Sequence, residues 1–156
     1  MKLAITCGLP LSGKSTLCRT MKDHRGYTIV CPDTIRLALH GNQFIGVAEP
    51  FVWAIAQTMV RALLKDGHDV IVDATNTTRE RRRMWKQIAK EFGILLRIYR
   101  VNTDYHVCLA RNAELNRLDS SVIARMYDQW EDPADDEGDL IVIDNTRTPL
   151  SAPYMP

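Results

Sequence analysis

Residues 8–15 read Gly8-Leu9-Pro10-Leu11-Ser12-Gly13-Lys14-Ser15, a G-x-x-x-x-G-K-S run, and Thr16 follows. This spacing suits the binding of a polyphosphate. Backbone N–H groups have to wrap the phosphates, and side chains would crowd that wrap, hence the glycines. The start of a following helix adds donors and a favourable dipole. Lys14 brings a cation to the β- and γ-phosphates, and Ser15 offers its hydroxyl to Mg2+. The cradle therefore comprises Gly8, Leu11, Ser12, Gly13, Lys14, Ser15 and Thr16; the alternative is a glycine turn that holds no ligand. No Asn-Lys-x-Asp run is present to read guanine, so ATP is the default nucleotide.

Three further runs place acids and arginines after apolar stretches. The first is Asp33-Thr34-Ile35-Arg36, beyond the second apolar run. Open α/β sheets bind ligands past the carboxyl ends of their strands. A carboxylate there can take the proton of an acceptor hydroxyl. Arg36, one helical turn on, could hold an anionic group of that acceptor. The plainer alternative makes Asp33 a helix cap and Arg36 a surface cation. The second run is Val70-Ile71-Val72-Asp73, followed by Ala74-Thr75-Asn76. An apolar strand ending in Asp is a form that orients Mg2+ and its waters, or else Asp73 only caps the next turn. The third is Arg111-Asn112 through Arg117. Two arginines six apart in a polar helix-to-loop segment either form a lid over the transferring phosphoryl or belong to a solvated helix face.

The elements that must position these groups are legible as alternating apolar runs and helical patterns, the signature of βαβ units. The strand candidates are Leu3–Cys7, Tyr27–Cys31, Val70–Val72, Leu95–Val101 and Leu140–Ile143. Most are continuously apolar, as strands covered on both faces should be. Helices are expected from Gly13 to about Asp23, from near Asp33, from Pro50 to Gly67, from Arg79 to Phe92, after Asp104, and after Asp119 or Ser120. In the third of these, Phe51, Ile55 and Met59 and also Val52, Ala56, Val60 and Leu64 recur at four-residue spacing, so a wide arc should be buried. In the fourth, Met84, Trp85, Ile88 and Phe92 form the core face. The fold class is α/β, a five-stranded and mainly parallel sheet with helices on both faces. Residues 1–156 are expected to form one domain, with a lid over about 104–118 and an irregular tail over 146–156, where Pro149, Pro153 and Pro156 fall.

The chain has 156 residues, 46% hydrophobic and 25% charged, with 20 Lys+Arg against 19 Asp+Glu for a net +1. A basic coat for non-specific nucleic-acid binding is excluded; any such contact needs a local patch. The apolar content and low net charge argue against disorder. No run reaches the roughly 18 apolar residues of a membrane-spanning helix, so no membrane partner is expected. Cys7, Cys18, Cys31 and Cys108 have neither disulfide-motif nor zinc spacing and read as structural thiols of a reducing, cytoplasmic compartment. The charge is unevenly spread. Residues 79–90 hold Arg79, Arg81, Arg82, Arg83, Lys86 and Lys90; residues 131–139 hold Glu131, Asp132, Asp135, Asp136, Glu137 and Asp139. A phosphodiester strand could follow the first and should avoid the second; the first could equally be a solvated helix face, or one of its arginines could brace the Thr75-Asn76 loop. In the stretch His40–Gly46, Phe44 either anchors in the core or stacks a base.

Taken together, these four ordered motifs resemble the 5′-polynucleotide kinase family over Leu3 to about Trp130. The D-x-x-R after the second strand is the most telling of them. The resemblance implies that Lys14 and Ser15 bind the ATP phosphates and Mg2+, and that Asp33 is the general base on a 5′-OH. It implies that Arg36 grips the adjoining phosphate, that Arg117 contacts the β/γ-phosphates and that Arg111 lies nearer the nucleotide. A D-x-D-G-T phosphatase motif is absent from this chain. The expected activity is therefore transfer of the ATP γ-phosphoryl to the 5′-OH of DNA or RNA. Asp33, Arg36, Lys14 and Arg117 would be catalytic, and Ser15 and Asp73 would manage Mg2+. The rivals are a kinase acting on a nucleoside, sugar or antibiotic, and an ATP-binding module without transfer.

Overall fold

The computed structural model describes residues 1–41 and 44–146. In chain order they form β1 (Leu3–Cys7), α1 (Lys14–Arg25), β2 (Thr28–Val30), α2 (Pro32–His40), a 3-10 turn (Gly46–Ala48), α3 (Glu49–Lys65), β3 (Val70–Val72), α4 (Arg79–Glu91), β4 (Leu96–Asn102), α5 (Tyr105–Leu115), α6 (Ser120–Asp128) and β5 (Asp139–Asp144). One sheet has the order β2-β3-β1-β4-β5, and its pairings are parallel. In the centre, Leu3 of β1 lies opposite both Val70 and Leu96.

Successive side chains on a strand point to opposite faces, so a strand covered twice must be apolar throughout. β1 shows this directly. Leu3, Ile5 and Cys7 pack with Val52, Ala56, Val60 and Leu64 of α3 and with Trp85 and Ile88 of α4. Ala4 faces the other way, toward Leu17, Cys18 and Met21 of α1. A third cluster joins Leu9, Cys108 and Ile123, with Leu11, Tyr105 and Met126 against it, and seats α5 and α6 beside residues 8–13. The expected caps are present at α5 and α6: the Asp104 carboxylate accepts from His106 N–H and that of Asp119 from Ser121 N–H, each at 2.8 Å.

Several expectations need correction. α3 buries one stripe rather than a wide arc. Val52, Ala56 and Val60 are 0% exposed, whereas Phe51 is 67% and Met59 41% exposed. The sheet presents one surface to this helix, and only the facing residues are covered. Gly46–Lys65 is by length and composition alone apolar enough to cross a membrane, but Glu49 and Arg61 interrupt its apolar run and Val52, Ala56, Val60 and Leu64 pack in the core. β2 is shorter than Tyr27–Cys31, because Tyr27 N–H bonds to Met21 O and Cys31 becomes the N-cap of α2. β4 starts at Leu96, leaving Leu95 exposed, and edge strand β5 exposes Val142. In α4, Met84 and Phe92 pack only at the margin, while Arg82 and Ala89 are buried. Phe44 is 73% exposed, so it does not anchor in the core. The tail at 147–156 and positions 42–43 of the glycine-bearing stretch lie outside the described residues.

Candidate active site

The loop from Gly8 to Gly13 leaves β1 and turns directly into α1. Gly8 N–H bonds to Thr75 O at 3.0 Å, tying the loop root to the segment after β3. Two residues take left-handed backbone, Leu11 at φ 64° and Gly13 at φ 105°. A Cβ at Gly13 would also lie 2.2 Å from Asn145 Nδ2, displacing the amide that donates to Ser12 O. Three of the loop carbonyls are engaged by side chains. Lys14 Nζ donates to Leu9 O at 2.6 Å, and Arg111 Nη1 to Leu11 O at 3.1 Å. Thr103 Oγ1 and Asn145 Nδ2 both donate to Ser12 O, at 2.9 and 2.7 Å. With these three carbonyls engaged, α1 begins at Lys14 with no side-chain cap and no acidic residue in its first turn. Unopposed N–H groups at a helix start form an anion site.

Lys14 is buried. Burial pushes its ammonium below the usual lysine value, and the carboxylate of Asp73 opposes that shift. A desolvated cation next to uncapped N–H groups fits a polyphosphate better than it fits any protein carboxylate in reach. Ser15 is exposed at the same helix start, and Thr16 is half-buried. Among the described residues, no group of three or more His, Cys, Asp or Glu is placed to hold a metal. Mg2+ commonly takes one or two protein oxygens together with substrate phosphates. The Ser15 hydroxyl and Asp73 carboxylate match that donor set. Asp73 sits just past β3, its N–H bonded to Val30 O at 2.9 Å, which brings the ends of β2 and β3 together.

Asp33 lies in the first turn of α2, after the N-cap Cys31 and the N1 residue Pro32, so it is not the helix cap. Its side chain is 89% exposed and accepts from Arg36 Nη1 at 2.6 Å. Nor is Arg36 a loose surface cation. Its Nε and Nη2 grip both oxygens of Glu49, at 2.7 and 2.9 Å. Those bonds, against burial, raise its pKa further. The same bond to Arg36 holds the Glu49 carboxyl below its usual range; burial opposes this, while Trp53 and the charge of Arg81 add to it. Glu49 was missed in the sequence; its only signal was an acid one residue before Pro50 at a helix start.

The two lid candidates separate. Arg111 is buried and spans Leu11 O and Asn145 O, at 3.1 and 3.0 Å. It is a brace of the phosphate loop, not a member of a solvated face. Arg117 is exposed in the turn between α5 and α6. Asn112 locks that turn, donating to Leu118 O at 2.8 Å and accepting from Leu118 N–H at 3.1 Å. The basic stripe of α4 is also corrected. Arg82 is 0% exposed and paired with the buried Glu137, at 2.8 and 3.0 Å, and it donates to Asn76 O at 3.0 Å. It is the arginine that braces the Thr75-Asn76 loop. Arg79 pairs with Asp136, and Lys86 donates to the Asp136 carbonyl. The acidic segment thus consumes much of the basic one, leaving less of it for a phosphodiester strand.

A family model for the AAA domain (AAA_33) matches residues 3–133. Over 96 residues, 62% of this chain, the sequence is 33% identical to a bifunctional polynucleotide phosphatase/kinase of Schizosaccharomyces pombe. A chain of the Pnkp1/Rnl/Hen1 RNA repair complex superposes with a TM-score of 0.70 at 24% identity over 82% of this chain. A gluconokinase from Sinorhizobium meliloti superposes with a TM-score of 0.66 at 18% identity, over 96% of this chain and 85% of its own. The chain spans 20% of the phosphatase/kinase and 43% of the repair-complex chain. The likeness to the solved structures is one of fold, that of the P-loop kinases. With its phosphate loop, five-stranded parallel sheet and match over residues 3–133, the chain belongs to the AAA_33 family of AAA domains.

Proposed function

We propose that this chain is a polynucleotide 5′-hydroxyl kinase that moves the γ-phosphoryl of ATP to the 5′-OH of DNA or RNA. The observation that carries the reading is the Asp33–Arg36 ion pair past the end of β2, where β2 and β3 converge beside Lys14. Sequence similarity to a polynucleotide phosphatase/kinase supports the acceptor class. In an in-line transfer the acceptor oxygen bonds to the γ-phosphorus, the bond to the β–γ bridging oxygen breaks, and ADP leaves. Asp33 takes the hydroxyl proton; its exposure leaves it open to the acceptor. An acceptor phosphate on Arg36 competes with Asp33 for Nη1 and so releases the carboxylate to act as base. Lys14 stabilises charge on the transferring group, and Arg117, displayed on its locked turn, closes over the phosphates. Bound Mg2+ at Ser15 and Asp73 would neutralise phosphate charge.

The test is transfer of label from γ-labelled ATP to 5′-OH oligonucleotides, with 5′-phosphorylated strands as controls. Label on the 5′-OH strands alone, lost in Asp33→Asn, supports the reading. A second reading, a small-molecule kinase, draws on the fold it shares with a gluconokinase over nearly the whole chain. Label on a sugar or nucleoside but on no oligonucleotide would replace the first reading with the second. ATP binding without transfer to any acceptor would leave a binding module.

A further inference from the structure

Groups from three helices meet around Glu49, and among the described residues one half-buried cation there, Arg81, has no carboxylate partner. α2 supplies Asp33 and Arg36, α3 supplies Glu49 and Trp53, and α4 supplies Arg81. Arg36 is fully engaged by two carboxylates. Arg81 is different. Its guanidinium carbon sits 3.9 Å from the centroid of the Trp53 ring. Among the described residues its side chain makes no ion pair or hydrogen bond, though it is half-buried. Burial lowers its pKa, and the charges of Glu49 and Glu80 only partly offset that. A planar cation laid on an indole face is held in orientation without using its N–H groups. Those groups stay available for an anion, and the carboxylate whose charge acts on them most, Glu49, is occupied by Arg36.

We propose that Arg81, oriented by Trp53, forms a second anion subsite that takes a further backbone phosphate of a nucleic-acid acceptor, beyond the phosphate held by Arg36. This rests on the polynucleotide reading and deepens it: the subsite favours acceptors with two or more phosphates over a mononucleotide. Trp53 is a positioning residue, and Arg81 the contacting one.

The experiment compares a nucleoside 3′-monophosphate, with one phosphate, and a single-stranded oligonucleotide as acceptors for wild type, Arg81→Ala, Arg81→Gln and Trp53→Phe. Thermal melts check folding, and Arg81→Gln keeps a stacking amide should Arg81→Ala fail to fold. Loss of the contact should raise the oligonucleotide KM on the order of tenfold. The KM values for ATP and for the mononucleotide should not move. The slope of log affinity against log salt should fall by about 0.7, the contribution of one single-strand phosphate. Trp53→Phe should give a smaller rise of the same kind. An equal rise for both acceptors, or none for either, would overturn the subsite while leaving the kinase reading intact. A wild type inactive on both acceptors would overturn the kinase reading and the subsite together.

Discussion

The phosphate loop is held by residues 67 to 133 positions away and by one on its own helix. Thr75, Thr103, Arg111 and Asn145 bond its backbone, and Lys14 folds back on Leu9. The acceptor side has little of this. Asp33 stands almost fully exposed on one turn of helix, and the α2 surface beyond it exposes Leu37 and Leu39 at 53% and 49%. The contrast has a physical cause. A phosphate loop must hold several backbone N–H groups in one convergent geometry, and backbone strain at Leu11 persists only where surroundings over-determine it. On the proposed reading the acceptor is a large partner, and a site that admits one keeps its reactive groups open; Arg36 is fixed through Glu49, and Arg81 lies on Trp53.

Four experiments can break or sharpen that contrast, from the largest effect down. Lys14→Ala should cut transfer by about 10³-fold or more. Asp33→Asn should lower kcat by about 10²- to 10⁴-fold, as expected for removal of a general base, yet leave ATP binding intact. Label transfer alongside ATP titration separates the two ends; if Asp33→Asn weakens ATP as much as Lys14→Ala does, the ends are not independent.

Stability should follow burial. Arg82→Met strands a buried Glu137 and should cost about 3–5 kcal/mol in urea unfolding. Adding Glu137→Leu should recover much of that loss. By comparison, the Arg61–Glu91 pair is 39% and 36% exposed, so Arg61→Ala should leave the midpoint nearly unchanged. Similar losses in the two single variants would remove the distinction between core and surface pairs.

Two substitutions should move different Michaelis constants. Asn145→Ala removes a donor to Ser12 O and should raise the KM for ATP by roughly tenfold. Glu49→Gln removes the charge that aligns Arg36 and should raise the acceptor KM by a few-fold, with the ATP value unchanged. A crossed result, with Glu49→Gln acting on ATP, would show the two sides coupled.

The smallest effect concerns acid. Burial would raise the Glu137 pKa, but the Arg82 and Ala134 bonds hold it below its ordinary 4.5. A carboxyl lowered on folding stabilises above its unfolded value and loses that contribution as pH falls through the folded one. Urea midpoints should therefore drop below about pH 4.5, and less steeply in Glu137→Gln than in wild type. Parallel curves would place the acid sensitivity elsewhere.

What the sequence determined by itself was the local chemistry: a phosphate loop read from eight residues, five apolar strands between helices, and caps at Asp104 and Asp119. Each depends on neighbours along the chain, so spacing suffices. The tertiary structure alone decided which charge meets which. Arg82, one of six basic residues in an apparently solvated stripe, is buried against Glu137, 55 positions on. Arg111 braces Leu11, 100 positions back, and Glu49 claims Arg36. Phe44 and Phe51 face outward although their types suit a core. A side chain's hydrophobicity and charge state what it can do, but only the packing of distant segments supplies its partner, and with it the burial that turns a surface arginine into a brace.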